Sequence, residues 1–223
     1  MPIANRTVLD QELKHLKDSI IRLSSAATES IDKAMNALQT RNVDEAQKVV
    51  SSDEAINQLR FAIEEQALLI LATQAPTASD LRAVIAAIHL AVELERIGDH
   101  AAGIARLVAR LEAEDEIDTL HKLPKMARRA SEMVQQGIDA YIQRNPQLAL
   151  DMIKRDDKLD RQYSKLFREA VEEMKDDAYI RRATFLLWVG HGLERIGDRA
   201  TNIAERVIFM CTGEFVETPS SLD

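Results

Sequence analysis

Four pairs of oxygen-bearing side chains recur along this 223-residue chain, and the two members of each pair are four residues apart. Residues four apart lie on one face of an α-helix, so each pair could offer two oxygens to the same neighbour. The pairs are Asp53 with Asn57, Glu95 with Asp99, Asp156 with Asp160, and Glu194 with Asp198. Oxygen ligands suit hard or borderline cations, so these residues predict metal sites for iron, manganese, magnesium or zinc.

Two of these pairs belong to an internal repeat. The sequence Leu-Glu-Arg-Ile-Gly-Asp at residues 94–99 returns unchanged at residues 193–198, 99 positions later. Such an exact recurrence indicates that the chain consists of two copies of one unit. Each copy places a glycine, Gly98 or Gly197, inside a helical pattern, where glycine costs about 1 kcal/mol relative to alanine. We therefore expect a neighbouring backbone or an ion to lie close to each glycine.

Apolar residues at steps of three and four predict the long helices that must position these pairs. The helices are expected at about 7–40, 43–73, from a cap at Thr77 or Ser79 to about 112, and then at about 119–144, 146–175 and 178–212. The prediction is an all-α protein of two tandem antiparallel three-helix bundles. The N-terminal bundle covers residues 1–116, the C-terminal bundle covers 117–213, and 214–223 form a flexible tail, with the acidic segment 112–118 as the junction.

The same periodicity places the acids on the face that each helix buries. Steps of three and four from Leu81 reach Glu95 and Asp99, and the same steps from Ile180 reach the second copy of the pair. Folding the second and third helices about Pro76 sets Asp53 level with Asp99. Folding the fifth and sixth helices about Asp177 sets Asp156 level with Asp198 in the same way. Across a helix interface of about 8–10 Å, each pair then faces another pair, as in di-metal carboxylate bundles.

Composition excludes several classes of function. The net charge of −8 argues against broad nucleic-acid binding. The longest apolar run, residues 83–92, is too short for the roughly 20 residues of a membrane span. A single cysteine, Cys211, rules out an internal disulfide and fits a reducing cytoplasm. No signal peptide, nucleophile–base pair or glycine-rich phosphate loop is recognisable, so we expect a cytoplasmic protein that is not an enzyme.

Two other functions remain open at this point, a structural adaptor and a di-iron enzyme. Arg96, Arg195 or other basic residues could neutralise the acids inside the bundles, which would make the protein a purely structural adaptor. A carboxylate di-iron enzyme would need two Glu-x-x-His motifs, and only Glu12–His15 has that spacing. His89 and His191 are interpreted as satisfied polar residues near the core.

These motifs resemble the PhoU family, the accessory proteins of the phosphate-specific ABC transporter. The resemblance rests on residues 76–82 (Pro-Thr-Ala-Ser-Asp-Leu-Arg), on 95–99 (Glu-Arg-Ile-Gly-Asp) and on 194–199 (Glu-Arg-Ile-Gly-Asp-Arg), and it spans nearly the whole chain. It implies a cytoplasmic regulator of two three-helix bundles, often a homodimer. It also implies contacts with the transporter ATPase and with a sensor histidine kinase, which restrain phosphate uptake and the phosphate-starvation response.

The resemblance further implies metal clusters held by Glu/Asp-x-x-x-Asp pairs. Its ligands correspond here to Asp156, Asp160, Glu194 and Asp198 in the second copy, and to Glu95 and Asp99 in the first. Asp53 and Asn57 depart from the family pattern, because the asparagine is a neutral and weaker ligand. The first-copy site is therefore expected to hold fewer or less tightly bound ions.

Overall fold

The computed structural model describes residues 3–111 and 122–216, with side chains from residue 6 onward. Seven α-helices and one short 3-10 helix, Asp177–Tyr179, make up nearly all of these residues, and none of them is in a strand. The helices are α1 (Ile3–Thr40), α2 (Val43–Gln74), α3 (Ala78–Leu111), α4 (Leu123–Gln143), α5 (Pro146–Ile153), α6 (Asp156–Glu173) and α7 (Ile180–Thr212). The predicted all-α class is confirmed. The predicted junction at 112–118 and the boundary at 116/117 lie outside the described residues.

The first break in each repeat is built in the same way. Arg41 and Arg144 adopt left-handed backbone conformations with φ of 53° and 50°. The next N–H groups, those of Asn42 and Asn145, each donate to a carbonyl five residues back at 2.9 Å, which is the Schellman arrangement that ends a helix. The side chains of the same two asparagines then accept hydrogen bonds from the first turn of the following helix. The sequence repeat is therefore also a repeat of local structure.

The predicted fifth helix, residues 146–175, is wrong as a single element, because the structure divides it into α5 and α6. The N–H of Arg155 donates to the carbonyl of Met152 at 2.8 Å, three residues back instead of four. This tight turn interrupts the α-helical ladder, and Asp156 becomes the first residue of α6. The break places Asp156 in the first helical turn, where the helix dipole favours a carboxylate.

The buried stripe of α3 does not coincide with the predicted one. Leu90, Leu94 and Ile97 are fully buried, whereas Leu81, from which the prediction was stepped, is 37% exposed. The reason is that α3 packs against α1, α2 and α7, so half of its 34 residues are buried. Because the buried surface of α3 is so broad, a series of residues at steps of three and four can lie along its edge as well as along its centre. The predicted series lies along the edge.

The two three-helix units are packed side by side through α3 and α7, which run antiparallel. Glu93 on α3 accepts hydrogen bonds from Arg199 at 3.3 Å and from Asn202 at 3.2 Å, both on α7. Near the C-terminal end of α7, the Nε of Arg82 on α3 donates to the carbonyl of Met210 at 3.2 Å. The helices that carry the repeated hexapeptide thus form the main contact between the repeats, and α1 also contacts α4.

The described part of the C-terminal tail, residues 214–216, is not helical. The Phe215 ring stacks on Phe209 with centroids 4.3 Å apart, and Val216 packs against the core. The flexible tail predicted for 214–223 otherwise lies outside the described residues.

Candidate metal centres

The α2–α3 hairpin brings together the first acidic cluster, defined as Asp53, Asn57, Glu95 and Asp99. The hairpin turns at residues 75–77, where the sequence places its midpoint. A Cβ added to Gly98 would lie 2.8 Å from the side chain of Ile56 and 3.6 Å from Oδ1 of Asp53. The glycine therefore allows α2 to lie directly against α3, and its close neighbour is a side chain of α2 instead of the backbone or ion expected from the sequence.

The α6–α7 hairpin brings together the second acidic cluster, defined as Asp156, Asp160, Glu194 and Asp198. Here a Cβ on Gly197 would lie 2.4 Å from Leu159 and 3.2 Å from Oδ1 of Asp156. The hydroxyl of Thr201 donates to the other carboxylate oxygen of Asp156 at 3.1 Å. In both repeats, a glycine without a side chain thus lets the two helices approach closely enough for one acid pair to face the other.

The electrostatics of the second cluster are those of carboxylates crowded at a partly buried site. Burial, and next the neighbouring Asp160 carboxylate, raise the pKa of Asp156 to about 6. Burial, and next the Asp198 carboxylate, raise the pKa of Glu194 to about 7. Burial also raises the pKa of Asp198, although Arg195 opposes this shift. Each group thus resists ionisation because desolvation and like charge disfavour a second anion.

The first cluster shows the same pattern. Burial and then the Asp99 carboxylate raise the pKa of Asp53, while Arg106 opposes the shift. The pKa of Glu95 is also raised, by burial first and by Asp99 second, against Arg60 and Arg96. The acids of each pair are therefore close enough to their opposite numbers to interact across the helix interface.

The depth of the clusters differs from the sequence expectation of acids inside the bundle. Glu194 is buried, with 7% of its surface exposed, but Asp99 is exposed and the other acids are half-buried. Both clusters lie along the edge of a helix hairpin, because the stripe read from the sequence follows the edge of the buried surface. One side of each cluster is thus accessible from solvent.

Both clusters contain buried oxygens that make no hydrogen bond among the described residues. The four oxygens are Oδ1 of Asp53, Oδ1 of Asn57, Oδ1 of Asp156 and Oε2 of Glu194. An unsatisfied buried acceptor costs about 1–3 kcal/mol, and more when it is charged. Across residues 3–111 and 122–216, however, no three His, Cys, Asp or Glu side chains already form a metal-binding group. The donor set fits a cation, and metal binding stays a prediction.

Basic side chains also approach the acids. Arg195 donates to Asp198 at 2.8 Å within the second cluster. In the first cluster the Nε of Arg60 lies 3.5 Å from Oε1 of Glu95, and Arg60 also pairs with Glu64 at 2.7 Å. Arg60 was not singled out from the sequence, although it lies seven residues beyond Asp53 and so shares its helix face.

His191 is a second residue whose role the sequence interpretation missed. Its side chain is 57% exposed, so it is not a polar group of the core, and its Nδ1 lies 3.2 Å from Oε2 of Glu194. The available signal was its position three residues before Glu194, on the same face of α7. His15, by contrast, is exposed on α1.

The fold and the two clusters together define a class of protein: a tandem repeat of three-helix bundles with a carboxylate cluster at one hairpin of each repeat. The PhoU domain family matches residues 20–108 and 123–207, one match for each repeat. The chain belongs to the PhoU family. Among the described residues, no helix is both long and apolar enough to cross a membrane.

Similar proteins support this assignment over almost the full length. A Clostridium acetobutylicum protein named phosphate-specific transport system accessory protein PhoU homolog is 33% identical over 214 residues, which cover 95% of this chain and 98% of that protein. A Zymomonas mobilis homologue of the same name is 36% identical and covers 92% of this chain and 87% of its own. The crystal structure of the phosphate transport system regulatory protein PhoU from Streptococcus pneumoniae superposes with a TM-score of 0.89 at 33% identity, covering 94% of this chain and all of that one.

Proposed function

We propose that this protein is a regulatory accessory protein of a phosphate-specific transport system, and that it acts by binding and not by catalysis. The relatives carry that function in their names and match more than nine-tenths of this chain. Its proposed partners are the ATPase of the transporter and a sensor histidine kinase, which it restrains in the cytoplasm when phosphate is sufficient. The functional unit is proposed to be a homodimer, which sedimentation velocity of the purified protein can test.

The observation that carries the proposal is the set of orphaned buried oxygens in both clusters. A cation in the second repeat would be held by Asp156, Asp160, Glu194 and Asp198. A cation in the first repeat would be held by Asp53, Asn57, Glu95 and Asp99. A bound iron ion, or another divalent or trivalent cation, supplies positive charge that offsets carboxylate repulsion. The clusters would then fix the α2–α3 and α6–α7 hairpins as rigid docking surfaces.

Elemental analysis of the purified protein tests the metal part of this proposal. We expect bound iron, manganese, zinc or magnesium, and we expect less of it in the double variant Asp156→Asn, Glu194→Gln. Glu132→Gln, which removes one negative charge from an exposed position on α4, is a control and should retain the metal. Purified protein that takes up none of these cations would contradict the proposal.

Co-purification with the transporter ATPase and with the kinase tests the partner proposal. We expect each partner to be captured by the metal-loaded wild-type protein and less well by the double variant. Failure to capture either partner, with metal and after chelation, would refute the adaptor function.

A purely structural adaptor is the second candidate, and the arginine contacts favour it. Arg195 already offsets Asp198, and Arg60 lies near Glu95. This candidate predicts no bound metal and full partner binding after chelation. A di-iron oxidase is the third candidate, and oxygen consumption by iron-loaded protein would distinguish it.

A further inference from the structure

An imidazole nitrogen lies at the edge of the second acidic cluster. Nδ1 of His191 is 3.2 Å from Oε2 of Glu194, yet that oxygen has no hydrogen-bond partner among the residues described. The two atoms are therefore close together without the alignment of a hydrogen bond. Glu194 is also the most deeply buried acid of the cluster, with 7% of its surface exposed. A buried carboxylate oxygen without a hydrogen bond thus lies beside an imidazole nitrogen.

The spacing of these two atoms is that of neighbouring ligands on one ion. Two donor atoms that each lie about 2.0–2.2 Å from a metal, at angles between 90° (octahedral) and about 110° (tetrahedral), are about 2.8–3.6 Å apart. The observed 3.2 Å falls within that range. Both side chains belong to α7, three residues apart, so the helix itself brings the two atoms to one face, where they can pair directly or share an ion.

A ring on the neighbouring helix packs beside the His191 imidazole. The Tyr163 ring on α6 lies 5.9 Å from the imidazole, centroid to centroid, with the two planes inclined by 41°. A Cβ on the preceding residue, Gly190, would lie 2.4 Å from Leu166 and 3.4 Å from Tyr163. This glycine therefore lets α6 approach α7 closely enough for the tyrosine to orient the imidazole.

The first repeat has different residues at both corresponding positions. Val92 precedes Glu95 by three residues as His191 precedes Glu194, and Arg60 follows Asp53 by seven residues as Tyr163 follows Asp156. The first cluster thus has no imidazole at this position, and it has a guanidinium 3.5 Å from Glu95. A fixed positive charge so close to a ligand opposes the entry of a cation, but Arg195 lies 2.8 Å from Asp198 in the second cluster, so the imidazole is the feature that distinguishes the two clusters.

We propose that His191 is a ligand of the cation in the second acidic cluster, which makes the two clusters unequal. The second cluster then has mixed nitrogen and oxygen ligands, which suit manganese, iron or zinc better than magnesium. The first cluster has oxygen ligands alone, faces Arg60, and binds these cations more weakly. This inference rests on the proposed function, because it assumes that the clusters bind metal.

Pulsed electron paramagnetic resonance on full-length protein loaded with Mn²⁺ tests the ligand directly. A coordinated imidazole gives a nitrogen-14 modulation of the manganese signal. We expect this modulation in the wild-type protein, its loss in His191→Gln, and its retention in the control His89→Gln. His89 lies on the exposed face of α3 and belongs to neither cluster.

Calorimetric titration of the same proteins with Mn²⁺ tests the inequality. We expect a tight and a weak class of sites, with His191→Gln weakening the tight class by about 10-fold or more. Asp53→Asn should weaken only the weak class, and Arg60→Gln should strengthen it. The control His89→Gln should leave both classes unchanged, and circular dichroism verifies that each variant is folded.

The outcomes separate this inference from the proposed function. Bound Mn²⁺ without nitrogen modulation, or modulation that persists in His191→Gln, would overturn His191 as a ligand while metal binding stands. Loss of the tight class in Asp53→Asn would overturn the assignment of the stronger site to the second repeat. A wild-type protein that binds no Mn²⁺, Fe²⁺ or Zn²⁺ would overturn both the inference and the metal part of the proposed function.

Discussion

Substitution of Gly197 by alanine should destabilise the protein, although alanine is the better helix former. The new Cβ would lie 2.4 Å from Leu159, a side chain with no exposed surface and so without open space into which to move. Overpacking of a core usually costs about 1–3 kcal/mol. The gain in helix propensity is about 1 kcal/mol. The expected net loss in the free energy of unfolding is therefore about 0–2 kcal/mol, toward the upper end because Leu159 has no space to move.

Gly103 provides a matched control on α3. A Cβ at this position meets no atom within 4 Å, so Gly103→Ala should add up to about 1 kcal/mol from helix propensity alone. The two glycine-to-alanine changes are chemically identical, and we expect opposite signs. Urea unfolding followed by circular dichroism measures both. With a slope of about 1–3 kcal/mol per molar urea, the two midpoints should differ by roughly 1 M.

The cation site provides a second readout of the same substitution. The Cβ at position 197 would also lie 3.2 Å from Oδ1 of Asp156, so Gly197→Ala should weaken metal binding and Gly103→Ala should not. Equal urea midpoints for the two variants, or a Gly197→Ala protein more stable than wild type, would refute the close-approach argument. In that case α6 and α7 would be farther apart than the structure shows.

Three further predictions concern the same framework. In the metal-free protein the raised pKa values of Asp156 and Glu194 contribute stability that is complete below about pH 4 and is lost as pH rises through about 6 and 7. The melting temperature in EDTA should therefore be lower at pH 8 than at pH 5 because of these two groups. Asn145→Ala removes a side-chain cap that accepts from two N–H groups of α5, so it should lower stability by about 1 kcal/mol in urea unfolding. Glu93→Ala leaves Arg199 without its partner between the repeats, so it should cost about 1–3 kcal/mol and increase hydrogen exchange along α3 and α7.

Each of these predictions has a contradicting outcome. The pH effect should vanish in Asp156→Asn, Glu194→Gln, and an unchanged pH profile in that double variant would assign the effect to other groups. Asn36→Ala changes an asparagine that caps no helix, and it should be nearly neutral if the cap explanation holds for Asn145. Unaltered exchange in the Glu93→Ala protein would mean that apolar packing alone joins the repeats.

Much of the fold was predictable because its causes are local. Each helix follows from apolar residues at steps of three and four, and the breaks follow from asparagine caps and from Pro76. The hexapeptide repeat implied a repeated unit, and the turn positions set the level at which the acid pairs face each other. The sequence therefore identified Asp53, Asp99, Asp156 and Asp198 as neighbours across a helix interface, which the structure bears out.

The sequence misplaced the depth of the acids because periodicity along one helix does not show how many neighbours that helix has. α3 and α7 pack against each other as well as within their own repeats, so their buried surfaces are broad and the acids lie at the edge. The break before Asp156 was also missed, since residues 154 and 155 include neither glycine nor proline. A single tight turn there depends on the packing of the helices on either side.

The sequence by itself determined which side chains could bind a cation and which helices carry them, because both depend only on residue type and on spacing along the chain. Only the tertiary structure decided what surrounds each cluster: Arg60 beside Glu95 in one repeat, and His191 with Tyr163 beside Glu194 in the other. Arg60 lies on the helix opposite Glu95 and Tyr163 on the helix opposite Glu194, so their distances depend on how closely two helices approach, whereas His191 shares α7 with Glu194. Contact across a helix interface is a property of packing, so two nearly identical motifs can give two different sites.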